Sequence, residues 1–287
     1  MDKIGVIHYN FRGLTLEEVI AWCSRHGVGF IEIMQTDLLT DDPVRRTEDI
    51  AQILYRYGIK PSQVSTASDF IHSSQEELSA QLKRIQLIGT LAKKLGTDLL
   101  RLDGGTPKEG IFEKDHLRLI SEGITQALEI AEKLNLRFAL DNHGLITNNY
   151  ELQLELFAGL KSKRIGANLD TANYRWFGYP VEKLPQIYTA IAPHVFHTHL
   201  KDCTGSKNKY AGTRLGSGEI PIVEAIRILK TAGYHGVWCV EYEGKETTEN
   251  TGYMESVKWL KQTLAHQALR KTRTKQGRGR PGQRNSA

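Results

Sequence analysis

Short apolar runs alternate with longer amphipathic segments along most of this chain. The runs are rich in β-branched and aromatic residues, whereas the longer segments repeat apolar residues at helical spacing. Thr15 opens the first such segment with Glu18 in the capping-box position, and Gly58 and Gly96 close two of the others. The pattern predicts eight strands, each followed by a helix. The predicted strands are Ile4–His8, Gly29–Met34, Ile59–Ala67, Asp98–Leu102, Leu136–Asn142, Arg164–Asp170, Val195–Leu200 and Gly236–Tyr242.

Strands that alternate with helices form parallel sheets, because each helix carries the chain back to the start of the next strand. Eight such units favour a closed barrel over an open sheet. The sequence contains neither a GxGxxG after the first strand nor a GxxxxGK[ST], the motifs of dinucleotide-binding and P-loop folds. We therefore predict an α/β protein, a (β/α)8 TIM barrel, with one catalytic domain at residues 1–269.

The excess of basic residues lies at the C-terminus. The chain carries 38 Lys and Arg against 33 Asp and Glu, for a net charge of +5. Residues 270–287 hold several Lys and Arg and no acid, so the rest of the chain is slightly acidic. The segment is rich in Gly, Gln and Ser and lacks large apolar residues, which predicts a disordered basic tail. A solvated terminus is the first interpretation, and contact with nucleic acid or another polyanion is the alternative.

Cysteine use and hydropathy narrow the class of protein. Cys23, Cys203 and Cys239 are far apart and form no CxxC pair, which excludes a disulfide scaffold or a cysteine-rich zinc module. No apolar run approaches the roughly 18 residues of a membrane span. The N-terminus lacks the features of a signal peptide. We therefore expect a cytoplasmic protein without a membrane partner.

Polar residues close several of the predicted strands, where the active site of a (β/α)8 barrel lies. Four of them end apolar runs on strands five to eight: Asp141, Asp170, His199 and Glu241. Each alone could be a strand-end cap or a salt-bridge partner. Equal register on neighbouring strands would bring all four to one point, and buried ionisable groups are costly unless they are paired or bind a metal. Three carboxylates and an imidazole predict one divalent metal ion, Mn²⁺ first, with Mg²⁺, Co²⁺ or Zn²⁺ as alternatives.

Other polar residues near the strand ends could act on a substrate. His143 lies two residues beyond Asp141 and is a candidate general base or hydroxyl partner; the alternative is a loop histidine bonded to Asp170 or to a backbone carbonyl. His197, two residues before His199, is assigned a structural role. The predicted substrate-binding residues are His8, Arg101, Asn173, Trp176, Lys201 and Arg214.

Five stretches of the sequence resemble the xylose isomerase-like barrel superfamily, and more closely its sugar phosphate isomerase/epimerase branch. The stretches are Phe138–Gly144, Gly166–Asn173, His197–Asp202, Leu215–Glu219 and Gly233–Gly244. The resemblance implies a (β/α)8 barrel with one divalent metal held by Glu, Asp, His and Glu. These ligands fall on Asp141, Asp170, His199 and Glu241, so Asp141 departs from the pattern by one methylene, and its bond to the metal could be weakened or lost. In similar epimerases the residue at Glu241 is both ligand and base, and the residue at Asp141 is its partner on the opposite face.

The same superfamily includes the type IV AP endonucleases, which share the barrel and the His-Leu-x-Asp motif. Their three-metal cluster needs further ligands at positions where this chain has Asn173, Tyr210 and Gly212. The slightly acidic body of the chain also suits a phosphate backbone poorly. We therefore do not expect a nucleic-acid substrate.

These observations together predict a metal-dependent sugar isomerase or epimerase. Its substrate would be a keto-sugar or related polyol, without phosphate because no compact phosphate cradle is evident, and the reaction a proton transfer through a metal-stabilised enediolate. The first alternative is a metal-dependent lyase or dehydratase on a keto-sugar, a cyclitol or a dehydroshikimate-like acid. The second is a non-catalytic barrel that binds a sugar or a partner, which the departure at Asp141 favours. A homo-oligomer is left open.

Overall fold

A closed barrel forms the centre of the protein. The computed structural model describes residues 2–245 and 250–277, and side chains as far as residue 267. Within these residues, eight parallel strands close into a barrel, which confirms the predicted fold. Two further strands, β8 (Asp202–Thr204) and β9 (Ala211–Thr213), form an antiparallel ribbon after the seventh barrel strand. The barrel strands are β1 (Lys3–Ile7), β2 (Phe30–Ile33), β3 (Lys60–Ser65), β4 (Leu99–Leu102), β5 (Arg137–Asp141), β6 (Ile165–Asp170), β7 (Val195–Leu200) and β10 (Val237–Val240).

Helices surround the barrel, and their ends follow the local signals in the sequence. Thr15 and Glu18 form the predicted capping box. Gly58 and Gly96 end two helices with φ of 67° and 94°, a left-handed conformation that glycine adopts without strain. The α-helices of the described residues are α1 (Leu16–Arg25), α2 (Gln35–Leu38), α3 (Pro43–Tyr57), α4 (Gln75–Leu95), α5 (Glu113–Leu134), α6 (Tyr150–Leu160), α7 (Asn173–Phe177), α8 (Leu184–Ile191), α9 (Ile222–Thr231) and α10 (Thr251–Gly277).

The last helix continues beyond the predicted domain boundary. The backbone of α10 is helical as far as Gly277, so residue 269 lies inside this helix. Residues 278–287 of the predicted tail lie outside the described residues. No helix in the described part of the chain is long and apolar enough to cross a membrane.

The two faces of the barrel strands differ in chemistry because successive side chains point to opposite faces. Apolar residues such as Val6, Ile31 and Leu140 are buried in the core between the strands and the helices. Each such side chain contributes about 1.5–3 kcal/mol to stability. The opposite, inward face is polar near the carboxyl ends of the strands: Glu32, Gln63, Asn168, His197 and His199 are all buried there.

Strand stagger decides which polar residues share a level. Asp170 pairs with His199 across β6 and β7, and His199 pairs with Cys239, two residues before Glu241. Asp141, however, pairs with Asn168 and so lies two residues below the level of Asp170. The prediction of equal register therefore holds for Asp170 and His199 but was wrong for Asp141, two residues below them, and for Glu241, two residues above, since the strands of a barrel are offset from one another by its shear.

Candidate active site

Three buried side chains meet at the carboxyl ends of β6, β7 and β10: Asp170, His199 and Glu241. One nitrogen or oxygen atom of each lies within 4.8 Å of those of the other two. The β6–β7 pairing places Asp170 beside His199, and the backbone N–H of Glu241 donates to Leu200 O at 3.0 Å. We call these three residues the donor group, because carboxylates and imidazole are common ligands of divalent cations.

The two carboxylate oxygens of Asp170 have different surroundings. Oδ1 accepts hydrogen bonds from the backbone N–H groups of Ala172 and Asn173, each at 2.8 Å, which holds the side chain at the start of α7. Oδ2 is buried and has no hydrogen-bond partner among the described residues. Because a buried carboxylate oxygen without a hydrogen bond is costly unless a cation neutralises it, Oδ2 is suited to hold one.

The ammonium of Lys201 lies beside the donor group. Its Nζ is 3.0 Å from Asp170 Oδ2, 3.4 Å from Glu241 Oε1 and 3.3 Å from Glu243 Oε1. Burial lowers the pKa of Lys201, but the three carboxylates outweigh this effect and hold the pKa well above its ordinary value. Burial and the neighbouring carboxylates raise the pKa of Asp170 to about 7, against the effect of Lys201. Burial also opposes ionisation of Glu241, yet Lys201 and His199 hold its pKa well below the ordinary value.

Glu32 fixes the orientation of His199. Nε2 of His199 is 2.6 Å from Glu32 Oε2, and Nδ1 is 3.1 Å from Glu241 Oε2. Burial opposes both charges, but their mutual attraction prevails: the pKa of Glu32 falls to about 2, and that of His199 is well above its ordinary value. Cys239 also lies close to this pair, but burial raises the pKa of its thiol well above the ordinary value, which makes it a poor ligand.

A layer of amides lies beneath the donor group. Asn168 donates from Nδ2 to Asp141 Oδ1 at 2.6 Å and contacts His199 Nδ1 at 3.1 Å. Its Oδ1 accepts from Gln63 Nε2 at 3.1 Å and from His197 Nδ1 at 2.8 Å. His197 is therefore a buried partner below the site, in keeping with the structural role predicted for it. The sequence analysis did not identify Asn168 or Gln63, although Asn168 precedes Asp170 by two residues and so shares its face of β6.

Arg101 links two further carboxylates. Its Nη1 lies 3.4 Å from Glu32 Oε1 and 3.7 Å from Asp141 Oδ2, and its Nη2 donates to Ser65 Oγ at 2.9 Å. Asp103 lies two residues further along the chain, and burial raises the pKa of its carboxyl. Asp103 was not among the predicted site residues, although it directly follows β4, the strand of Arg101.

A cavity of about 420 Å³ opens above these residues, within the range of small-molecule sites. Five of the predicted site residues line it: Arg101, Asp141, His143, Asn173 and Glu241. The His143 side chain is 64% exposed and its Nδ1 is 4.0 Å from Asp141 Oδ2. The other residues along the wall are Ile7, Tyr9, Met34, Ala67, Ser68, Asp69, Asp103, Gly104, Gly105, Thr106 and Glu243.

Three of the other predicted substrate contacts have partners that do not line this cavity. Nδ1 of His8 is 3.1 Å from Asp37 Oδ2. Lys207 lies over the ring of Trp176, with Nζ 5.9 Å from its centroid. Arg214 forms an ion pair with Glu255 of α10. The structure therefore does not bring these three to the donor group, and their roles in substrate binding stay predictions.

Residues 20–263 match the family described as the xylose isomerase-like TIM barrel. The chain belongs to this family. The resemblance of the five sequence stretches to the xylose isomerase-like superfamily is thereby confirmed.

Three known proteins are similar to part or most of this chain. An uncharacterized protein of Methanocaldococcus jannaschii, MJ1311, is 27% identical over 122 residues, and the match covers 41% of this chain and 41% of that protein. The crystal structure of the IolI protein with a bound zinc atom has a TM-score of 0.76 at 20% identity, covering 92% of this chain and 97% of its own. The 3-keto-D-glucoside 4-epimerase YcjR of E. coli has a TM-score of 0.75 at 15% identity, covering 91% and 100%. The two structures share the fold of this chain.

The donor set of this xylose isomerase-like barrel fits a divalent metal. Asp170 Oδ2 is buried without a hydrogen bond and lies 3.0 Å from the cationic Lys201 Nζ, and one nitrogen or oxygen atom of each donor-group residue lies within 4.8 Å of the others. Asp141 does not belong to this group among the described residues, since Asn168 and Arg101 engage its oxygens one level lower. Asp141, where the family pattern has Glu, therefore contacts Asn168 and Arg101 and not the donor group.

Proposed function

We propose that this protein is a divalent-metal-dependent isomerase or epimerase that acts on an uncharged keto-sugar or a related polyol. The observation that carries the proposal is the position of Glu241, which belongs to the donor group and also lines the 420 Å³ cavity. A metal held there would face a substrate in the cavity directly. Two structures that share the fold support this proposal, the IolI protein with a bound zinc atom and the 3-keto-D-glucoside 4-epimerase YcjR.

Asp170, His199 and Glu241 would hold the metal, with Mn²⁺ the first expectation and Mg²⁺, Co²⁺ or Zn²⁺ the alternatives. A bound divalent metal supplies a Lewis acid that polarises the substrate carbonyl and stabilises charge on its oxygen. Glu32 serves this arrangement by holding Nε2 of His199, which leaves Nδ1 as the nitrogen that would bind the metal.

Three side chains at the cavity wall are suited to move protons. Glu241 stays ionised because Lys201 and His199 hold its pKa well below the ordinary value, so it can accept a proton from a substrate carbon. Asp141 and His143 lie together at the same wall, with 4.0 Å between His143 Nδ1 and Asp141 Oδ2. Removal of a proton by Glu241 and its return through Asp141 or His143 would invert or relocate a stereocentre.

The charge of the cavity favours an uncharged substrate over an acid. Its wall includes the carboxylates of Asp69, Asp103, Asp141, Glu241 and Glu243 and the guanidinium of Arg101. Arg101 already faces Glu32 and Asp141, and Lys201 faces Asp170, Glu241 and Glu243. Apart from the proposed metal, a carboxylate or phosphate on the substrate would therefore meet cationic side chains that are already paired with carboxylates. This argues for a polyol rather than a dehydroshikimate-like acid. We expect the protein to act in the cytoplasm.

Metal content and product analysis test the proposal. Protein purified without chelator should hold close to one metal ion per chain, and Asp170→Asn and Glu241→Gln should lose it. Glu129→Gln, on the exposed face of α5, is the matched control. With Mn²⁺, ketohexoses and 3-keto-glucosides should give isomers that carry solvent deuterium on carbon. A product lighter by one water would indicate the lyase alternative, and a protein that binds no metal after Mn²⁺ addition would indicate a binding protein.

A further inference from the structure

Lys201 is a full positive charge buried at the proposed metal site. It is 3% exposed, and its Nζ contacts carboxylates of Asp170, Glu241 and Glu243 at 3.0–3.4 Å. Two of these three carboxylates belong to the donor group. The sequence analysis assigned Lys201 to substrate binding, and the structure places its ammonium beside the residues that would hold the metal.

The contact with Asp170 involves the oxygen that is otherwise free. Oδ1 of Asp170 is committed to the backbone N–H groups of Ala172 and Asn173. Oδ2 has no hydrogen bond among the described residues, and the Lys201 ammonium is the cation beside it. An ammonium and a divalent ion repel strongly at such separations, especially away from water. Both therefore compete for the same carboxylate oxygen.

Glu243 offers the ammonium a second position. Its Oε2 accepts a hydrogen bond from Tyr210 Oη at 2.5 Å, which holds the carboxylate in place. Its Oε1 is 3.3 Å from Lys201 Nζ, and the side chain is 30% exposed, unlike that of Asp170. A small movement of the flexible lysine side chain would keep the Glu243 contact while the contacts to the donor group lengthen.

We propose that Lys201 is an internal cation that neutralises Asp170 and Glu241 when no metal is bound. Metal binding then moves its ammonium away from these two carboxylates, while its contact with Glu243 remains. This inference rests on the metal site of the proposed function. The internal cation keeps the buried carboxylates neutralised in the metal-free protein. It also weakens metal binding, because each metal ion that enters must displace one positive charge.

Metal affinity measured on the whole chain tests the exchange. We expect Lys201→Met to bind Mn²⁺ at least tenfold more tightly than the wild type, in titrations that follow metal competition with a chelator. The metal-free variant should melt at a lower temperature, and saturating Mn²⁺ should raise its melting temperature by more than it raises that of the wild type. Lys108→Met is the matched control, since Lys108 pairs with Asp69 at the cavity wall and makes no ion pair with the donor group.

The outcomes separate this inference from the metal site itself. Equal or weaker Mn²⁺ binding by Lys201→Met overturns the internal cation while the metal site stands. A tightening of the same size in Lys108→Met also overturns it, because the effect would then be general electrostatics. If neither wild type nor Lys201→Met binds any divalent ion, the proposed function and the inference fail together.

The role of Glu243 has its own test, in a double-mutant cycle. Glu243→Gln should weaken Mn²⁺ binding of the wild type, because Lys201 then has no second partner. In the Lys201→Met background the same change should weaken binding by a clearly smaller factor. Equal factors in both backgrounds would overturn this role of Glu243. If Lys201→Met fails to fold, Lys201→Gln keeps a polar group at this position and is measured in its place.

Discussion

Glu32 and His199 form a buried hydrogen bond across the barrel, with 2.6 Å between Oε2 and Nε2. Their strands, β2 and β7, are not neighbours, so the bond crosses the barrel interior. Both side chains are fully buried. Because a carboxylate can only accept, Nε2 donates to Glu32, and Nδ1 is the nitrogen that faces Glu241 and the rest of the donor group. The bond thus selects the ring orientation that the donor group requires.

Removal of the Glu32 charge should therefore weaken metal binding without removing a ligand. We expect Glu32→Gln to lower Mn²⁺ affinity by about 10–100-fold, the usual effect of losing a carboxylate that supports a histidine ligand. Competition with a chelator measures this. Unchanged affinity would mean that Glu32 does not orient the metal-binding imidazole.

The same pair predicts an acid-sensitive contribution to stability in chelator-treated protein. The pKa of Glu32 is about 2 in the folded protein, against an ordinary 4.5. Its contribution is therefore complete above pH 4.5 and is lost as the pH falls toward 2, for a total of about 3 kcal/mol. Urea unfolding across this range should show a steeper loss of stability in wild type than in Glu32→Gln. Parallel curves would contradict the assignment.

The barrel and most of its mouth could be predicted from the sequence, because strand–helix alternation and strand-end positions depend on local patterns. The height of each side chain along the barrel axis could not be predicted, since it depends on the shear of the barrel. Asp141 and Asp170 end neighbouring strands in the sequence pattern, yet Asp141 pairs with Asn168. Gln63 was not identified, and the contacts of Lys201 were not predicted, for a related reason. Their partners lie on distant strands or beyond a strand end, where alternation no longer fixes direction.

The offset between β5 and β6 also predicts that Asp141 and Asp170 differ in their effect on metal binding. We expect Asp170→Asn to reduce Mn²⁺ affinity by more than 100-fold, and Asp141→Asn by less than about tenfold, because Asn168 and Arg101 engage Asp141. Titration of both variants, with circular dichroism to confirm folding, measures the difference. Equal losses would place Asp141 among the ligands, as the family pattern implies.

Two glycines should respond in opposite directions to alanine. In β6, a Cβ on Gly166 would collide with the backbone oxygen of His194, whereas on Gly159, in α6, it would meet open space. We expect Gly166→Ala to lower the free energy of unfolding by about 3 kcal/mol. Gly159→Ala should raise it by about 0.5–1 kcal/mol, since alanine favours the helix. Urea unfolding of the two variants decides, and a stable Gly166→Ala protein would show that this strand can shift outward.

Asn168 provides the most demanding test of the polar barrel interior. An amide offers two donor hydrogens and two acceptor lone pairs, and here they meet Asp141, His199, Gln63 and His197. Asn168→Ala leaves these buried groups short of partners and should cost about 3 kcal/mol of unfolding free energy. Asn168→Asp keeps the shape but cannot donate to Asp141, and two buried carboxylates would then face each other. We therefore expect Asn168→Asp to be the less stable of the two at neutral pH and to recover part of the difference as the pH falls, because protonation restores one donor. If the two variants instead unfold alike at every pH, the amide serves mainly to fill space and does not hold Asp141 and His199 in place.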